Sequence, residues 1–255
     1  MLIDTHCHIH NLENYPDPDA EVLAAKEAGV ERIVVVGCEP NDWTQAIAFA
    51  EKHEHVFAIC GWHPNYTANY DPIDMPLLVK ALKHPKVLAL GEIGLDYHWD
   101  YAPTSVQHKV LRDQLKLAEE MNKPVVFHAR EAYSDLLDVL EKLPRRPYLF
   151  HCFAGTKEDA RRALRLGAFF GCDGPITYKK ADELREVFKF IPPHKIVLET
   201  DAPYMAPVPH RGKPNRSAYI PILNKALAEL HDMTQEEMAA QTTQNAIDFF
   251  GPGLA

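Results

Sequence analysis

Short apolar runs alternate with longer helical patterns along this chain, and few folds accept that order. Runs of strand character fall at 2–6, 31–36, 56–60, 86–91, 124–128, 147–151, 168–171 and 195–199. Between them the apolar period lengthens to that of a helix over 17–28, 41–53, 73–83, 104–121, 131–142, 157–166 and 180–190, and further helical stretches follow at 218–230 and 234–249. Segment 104–121 is the clearest, with Val106, Val110, Leu111, Leu115, Leu117 and Ala118 forming one stripe among charges. Asn41-Asp42, Thr104-Ser105 and Thr156-Lys157-Glu158 supply capping oxygens at helix starts. Strands and helices at this spacing predict a parallel sheet with right-handed crossovers. An open doubly wound sheet would need a glycine-rich loop after its first strand, and His6-Cys7-His8-Ile9-His10 is not one. The prediction is an α/β chain forming a single (β/α)8 TIM-type barrel with an extra C-terminal helix. One domain spans 1–255, and its 255 residues match the roughly 250 typical of that barrel.

A parallel barrel keeps its chemistry at the C-terminal ends of its strands, and ligand-type side chains gather just past the ends of these runs. They are His6 and His8 at and beyond the end of the first run, Glu92 after the fourth, His128 at the end of the fifth, His151 at the end of the sixth and Asp201 after the eighth. An H-x-H pair means little alone in a chain with 14 histidines, but on extended backbone that spacing puts both rings on one face. Strands five and six are neighbours, so His128 and His151 meet and form a second set with Glu92. In a closed barrel Asp201 stands beside His6 and His8. A mixed nitrogen and oxygen set suits Zn2+, Mn2+ or Fe2+, while Mg2+ prefers oxygen. His63 ends the third run, where it orients substrate or donates a proton. Trp62, Tyr97 and Trp99 are rim aromatics that stack bases or simply pack. Among the cations Arg130, Lys179, Lys180, Arg211, Lys213 and Arg216, the loop 202–217 ranks Arg211 and Lys213 first for substrate, since it begins at a proposed ligand.

The net charge of −9 argues against a protein that grips duplex DNA mainly by neutralising phosphates. Five cysteines without a CxxC pair argue against a disulfide framework or a zinc ribbon. No basic, apolar leader opens the chain and no run approaches the ~20 apolar residues of a membrane span. A soluble, cytoplasmic protein without membrane association or an obligate protein partner is expected.

The chain resembles the TatD family of metal-dependent hydrolases, of the amidohydrolase-like barrel superfamily. The resemblance is carried by Asp4-Thr5-His6-Cys7-His8, Gly61-Trp62-His63-Pro64, Gly91-Glu92-Ile93-Gly94-Leu95-Asp96-Tyr97, His128-Ala129-Arg130, His151-Cys152-Phe153-Ala154-Gly155 and Glu199-Thr200-Asp201-Ala202-Pro203-Tyr204. It implies a TIM-type barrel and a divalent-metal-dependent deoxyribonuclease trimming single-stranded DNA from the 3′ end. One cation would lie with His6, His8, Glu92 and Asp201, the other with Glu92, His128 and His151. Where the family reads Arg-Gly-Lys-x-Asn-Glu-Pro, this chain reads Arg211-Gly212-Lys213-Pro214-Asn215-Arg216-Ser217, which adds positive charge to that loop. The expected catalytic residues are Asp201, Glu92 and His63, acting through a hydroxide that bridges two divalent ions (Zn2+, Mn2+, Mg2+ or Fe2+). Substrate contacts are expected from His63, Arg130, Arg211 and Lys213. The same centre would also suit an alternative, a carboxyl-ester, lactone or amide hydrolase acting on a small substrate. A metal-stabilised scaffold or partner-binding protein is the third reading, and the intact set of ligand motifs argues against it.

Overall fold

A computed structural model describes residues 1–254. Eight parallel strands form one sheet in sequence order: β1 (Leu2–Cys7), β2 (Val30–Gly37), β3 (Val56–Cys60), β4 (Val87–Asp96), β5 (Val125–Arg130), β6 (Tyr148–Phe150), β7 (Phe169–Cys172) and β8 (Ile196–Leu198). The sheet curls until its edges meet. Asp201 N donates to His6 O at 2.9 Å, His8 N to Ala202 O at 2.7 Å, and Thr5 Oγ1 to Leu198 O at 3.0 Å. The result is the nearly closed (β/α)8 barrel that the alternation predicts.

The helices α1 (Pro18–Glu27), α2 (Pro40–Lys52), α3 (Met75–Leu82), α4 (Thr104–Met121), α5 (Tyr133–Leu140), α6 (Lys157–Arg165), α7 (Asp182–Phe190) and α8 (Ile220–Leu230) follow the strands. Alternation along each strand divides the core in two. Ile33, Val35, Phe127 and Phe150 point outward and pack under the helices, while Val34, Val36, Ile59, Ala89, Val126, Leu149 and Val197 fill the barrel interior. The extra helix α9 (Gln235–Phe250) joins the interior group through Ala246, Phe249 and Phe250. Its Asn245 Nδ2 donates to Ile196 O at 2.6 Å and its Thr243 Oγ1 to Met1 O at 3.0 Å, at the starts of β8 and β1. The helix therefore closes the N-terminal end of the barrel, leaving the opposite end open for chemistry.

Two local expectations are corrected. Thr156 does cap α6, in a reciprocal box with Asp159, but α4 starts after Pro103 with no side-chain cap. Asp42 lies inside α2 and turns back to the Cys38 amide at 2.8 Å and to His10 Nε2 at 2.8 Å. Strand β4 also runs further than its apolar residues indicate. Its pairing with β5 shifts between Leu90 and Ile93, then continues to Asp96↔Arg130. Glu92 thus lies within the strand rather than beyond it, as do His6 and His128 in theirs.

Candidate metal centre

Glu92 is the hub. It is 3% exposed, and its carboxylate oxygens face two separate groups of imidazoles. Oε2 lies 3.3 Å from His6 Nε2. Oε1 lies 2.7 Å from His151 Nε2, 2.8 Å from His128 Nδ1 and 3.5 Å from His63 Nε2. Asp201 completes the first group, with Oδ1 3.5 Å from His8 Nε2 and 3.8 Å from His6 Nε2. The His6 and His151 rings stack at 3.9 Å, so the two groups touch. Six residues drawn from β1, β4, β5 and the loops after β1, β6 and β8 therefore share one pocket at the open end of the barrel.

Two carboxylates are buried here among imidazoles. Burial alone would raise the Glu92 pKa, but the imidazoles of His151 and His63 and hydrogen bonds from His128 and His151 outweigh it and hold the carboxyl well below its usual range. Burial opposes ionisation of Asp201 too, and is overcome by His8, then His151 and His6. Burial, with the charge on His151, lowers the His6 pKa. Both His6 ring nitrogens are buried without a hydrogen-bond partner, and His151 Nδ1 has only the Glu199 carboxylate at ion-pair distance. Unpaired buried polar atoms are rare in native proteins and call for an ion or water. His6, His8 and Glu92 offer donor atoms within 4.8 Å of one another, as do His63, Glu92 and His128. Nitrogen and carboxylate donors at this spacing fit divalent cations.

Outer carboxylates set which atom His128 and His151 present, because a ring nitrogen turned to a carboxylate leaves the other free as a ligand. Asp96 Oδ2 holds His128 Nε2 at 2.8 Å, so Nδ1 faces Glu92. Glu199 Oε1 lies 3.5 Å from His151 Nδ1, so Nε2 faces Glu92. His63 differs. Its Nδ1 accepts from the Asn65 amide at 3.1 Å, which puts the proton of the neutral ring on Nε2. Its mouth-facing atom is thus an N–H donor rather than a ligand lone pair.

Sequence reasoning misses Asp96 and Glu199 as functional residues, although both lie inside its motifs. Two signals point to them. Asp96 falls four residues after Glu92 on extended backbone, hence on the same face, and Glu199 is a charge directly after the buried run Ile196-Val197-Leu198. Asp4, fully buried, belongs to the same outer layer: it accepts from Thr200 N at 2.9 Å and Thr200 Oγ1 at 2.7 Å, fixing the turn to Asp201. Asp201 itself adopts φ +52°.

The remaining candidates separate clearly. Arg130, Arg211 and Lys213 are exposed; Arg130 lies over the Trp99 ring at 5.5 Å and Arg211 over Tyr178 at 4.3 Å. Arg216 does not add free charge to its loop, because its Nε pairs with Glu21 at 2.7 Å. Trp62 is buried against Trp43 and Tyr70, and the Tyr97 hydroxyl is held by Asp135 at 2.7 Å and His108 at 2.8 Å. Of the three rim aromatics only Trp99 is exposed. Cys7, Cys38, Cys60 and Cys172 are buried and Cys152 is partly so, all of them free thiols.

Comparison with known proteins bears on the family and the fold. The family model for TatD related DNase matches residues 3–251. The uncharacterized metal-dependent hydrolase YabD of Bacillus subtilis is 39% identical, the match covering 98% of this chain and 99% of that protein. A protein of Erwinia tasmaniensis named 3'-5' ssDNA/RNA exonuclease TatD is 30% identical over 98% of this chain and 99% of its own. The crystal structure of YjjV, a TatD homologue from Escherichia coli K12, superposes with a TM-score of 0.92 at 34% identity, covering 98% of this chain and 97% of that one. A shared barrel, a matched family model and relatives aligned end to end lead to one conclusion: the chain belongs to the TatD related DNase family and is a metal-dependent hydrolase.

Proposed function

We propose that this hydrolase is a phosphodiesterase that removes nucleotides from the 3′ end of single-stranded DNA. The observation that carries the reading is Glu92, whose two oxygens each face a different set of imidazoles. His6, His8, Glu92 and Asp201 would hold one divalent cation, and Glu92, His128 and His151 a second. Once bound, a pair of such ions (Zn2+, Mn2+, Mg2+ or Fe2+) lowers the pKa of water and neutralises charge on phosphoryl oxygens.

The chain's own groups supply the rest. Asp201, an ionised carboxylate at the mouth, accepts the proton of the attacking water. Glu92 fixes the spacing between the two halves. The His63 Nε2–H points into the pocket and donates to a substrate oxygen, which matters most as charge grows there in the transition state. Arg130, Arg211 and Lys213 receive phosphates further along the strand. The relatives named as 3'-5' ssDNA/RNA exonucleases support a nucleic-acid substrate. Residues 1–255 act as one hydrolase domain in this reading. Five cysteines, all unpaired, support a reducing, cytoplasmic setting, and no helix among the described residues is long and apolar enough to cross a membrane.

The test is hydrolysis of 3′-labelled single-stranded DNA by metal-loaded protein, alongside a panel of carboxyl esters and lactones. Asp201→Asn should lower kcat on DNA by about 10²–10⁴-fold, the range of general acid–base contributions. Full activity in that variant would remove Asp201 from its role. Ester or lactone turnover without DNA cleavage would replace the nuclease reading with the small-substrate one.

A further inference from the structure

Exposed aromatic side chains are concentrated at the mouth. Tyr66, Trp99, Tyr101, Phe190 and Tyr204 are the large exposed aromatics among the described residues, and all but Phe190 lie in connections that follow β3, β4 or β8. Tyr66 stands edge-on to His63 at 5.9 Å and Tyr204 edge-on to His8 at 6.3 Å. Trp99 and Tyr101 differ from these. Their rings are nearly parallel, at 19° and 5.6 Å between centroids. That separation is an offset stack, and Trp99 remains 44% and Tyr101 59% exposed. Leaving two large rings together in water is unfavourable, so a stack of this kind needs a reason.

Its anchorage supplies one. The Trp99 amide donates to Asp96 Oδ1 at 3.0 Å and the His98 amide to the same oxygen at 2.9 Å, while Asp96 Oδ2 holds His128. Arg130, whose guanidinium lies over Trp99, is two residues beyond His128 on β5. The carboxylate that orients a candidate ligand thus also anchors the backbone of Trp99, on which the Tyr101 ring stacks.

We infer that Trp99 and Tyr101, with Arg130 beside them, form a base-stacking subsite that seats a nucleobase of a single-stranded nucleic acid next to the cleavage centre. This rests on the phosphodiesterase reading and names how that substrate is gripped. Every base has a π face, so the subsite would take any sequence, provided the bases are unpaired. Stacking also suits a chain whose 27 Lys and Arg are outnumbered by 36 Asp and Glu.

The inference is tested by equilibrium binding, read from tryptophan emission. Trp43 and Trp62 are 2% exposed, so Trp99 is the tryptophan whose emission a stacked base quenches. Metal-loaded protein is titrated with a phosphorothioate-linked oligothymidylate, which resists cleavage, and with an abasic oligomer of equal length and linkage. The expected result is quenching by the base-bearing oligomer alone and a preference for it of about tenfold or more. Trp99→Ala and Tyr101→Ala, followed by anisotropy of labelled oligomers, should each shrink that preference, and Trp99→Phe should keep most of it. Equal binding of both oligomers by the native chain, or a preference that survives Trp99→Ala, overturns the subsite. The phosphodiesterase reading is decided separately by cleavage of ordinary DNA: no cleavage with an intact base preference sinks that reading and leaves base binding standing.

Discussion

His63 shows how one neighbouring amide can set the role of a side chain. It sits 3.5 Å from Glu92 in the company of His128 and counts among the possible donors. The Asn65 amide occupies its Nδ1, however, and so leaves an N–H facing the mouth. His63→Ala should therefore lower kcat by about 10²-fold or more with the bound metal content unchanged, as read by elemental analysis. Loss of a cation in that variant would make it a ligand instead. The six proposed ligands are legible in sequence because each ends an apolar run, and a barrel brings such ends together. Their outer partners are less so. A buried Asp96 or Glu199 looks in sequence like any loop carboxylate until coordinates place it against the far nitrogen of a particular imidazole. The departure at Arg216 misleads for a related reason: its partner Glu21 lies 195 positions away, on α1.

At the scale of elements, close approach of strands explains glycines that sequence alone cannot rank. A Cβ on Gly171 of β7 would lie 2.3–2.4 Å from the fully buried Glu199 carboxylate, so one of the two must shift. Gly94 in β4 combines φ +151° with a Cβ position only 1.9 Å from His128 O, so that stretch of β4 can pass β5 only without a side chain. Gly171→Ala should cost about 1–3 kcal/mol of stability from overpacking and weaken cation binding about 10–100-fold by displacing Glu199. Denaturant unfolding and metal titration of the variant check both, and unchanged metal affinity would show that Glu199 does not orient His151. Periodicity locates nearly every strand and helix here, α4 to the residue. It fails at the end of β4, where alternating glycines and acids break the apolar signal while the backbone continues to pair. It fails also at two helix starts, where Thr104 and Asp42 are ordinary capping residues whose surroundings give them other positions, while Thr156 caps as expected.

For the whole molecule, the charge balance sets the way a polyanion is received. On the phosphodiesterase reading, a chain of net charge −9 repels DNA at long range, so affinity would come from the cations, a few basic side chains and stacked bases. With Arg130, Arg211 and Lys213 as phosphate partners, log KM against log salt should have a slope near 2, at about 0.7 per ion for single strands. A slope of about 5 or steeper would require about seven phosphate contacts, more than these three side chains supply. The barrel itself organises this division: α9 seals one end with Phe249 and Phe250, and all the chemistry is left at the other.

The arrangement stands or falls on Glu92 joining two cation sites. The most direct measurement is the number of divalent ions per chain, by elemental analysis and native mass spectrometry, in the native protein and in Glu92→Gln. Two ions in the native chain and less than one in the variant are predicted, since the variant weakens both groups of imidazoles together. Two ions retained by Glu92→Gln, or none in the native protein at saturating metal, would contradict it.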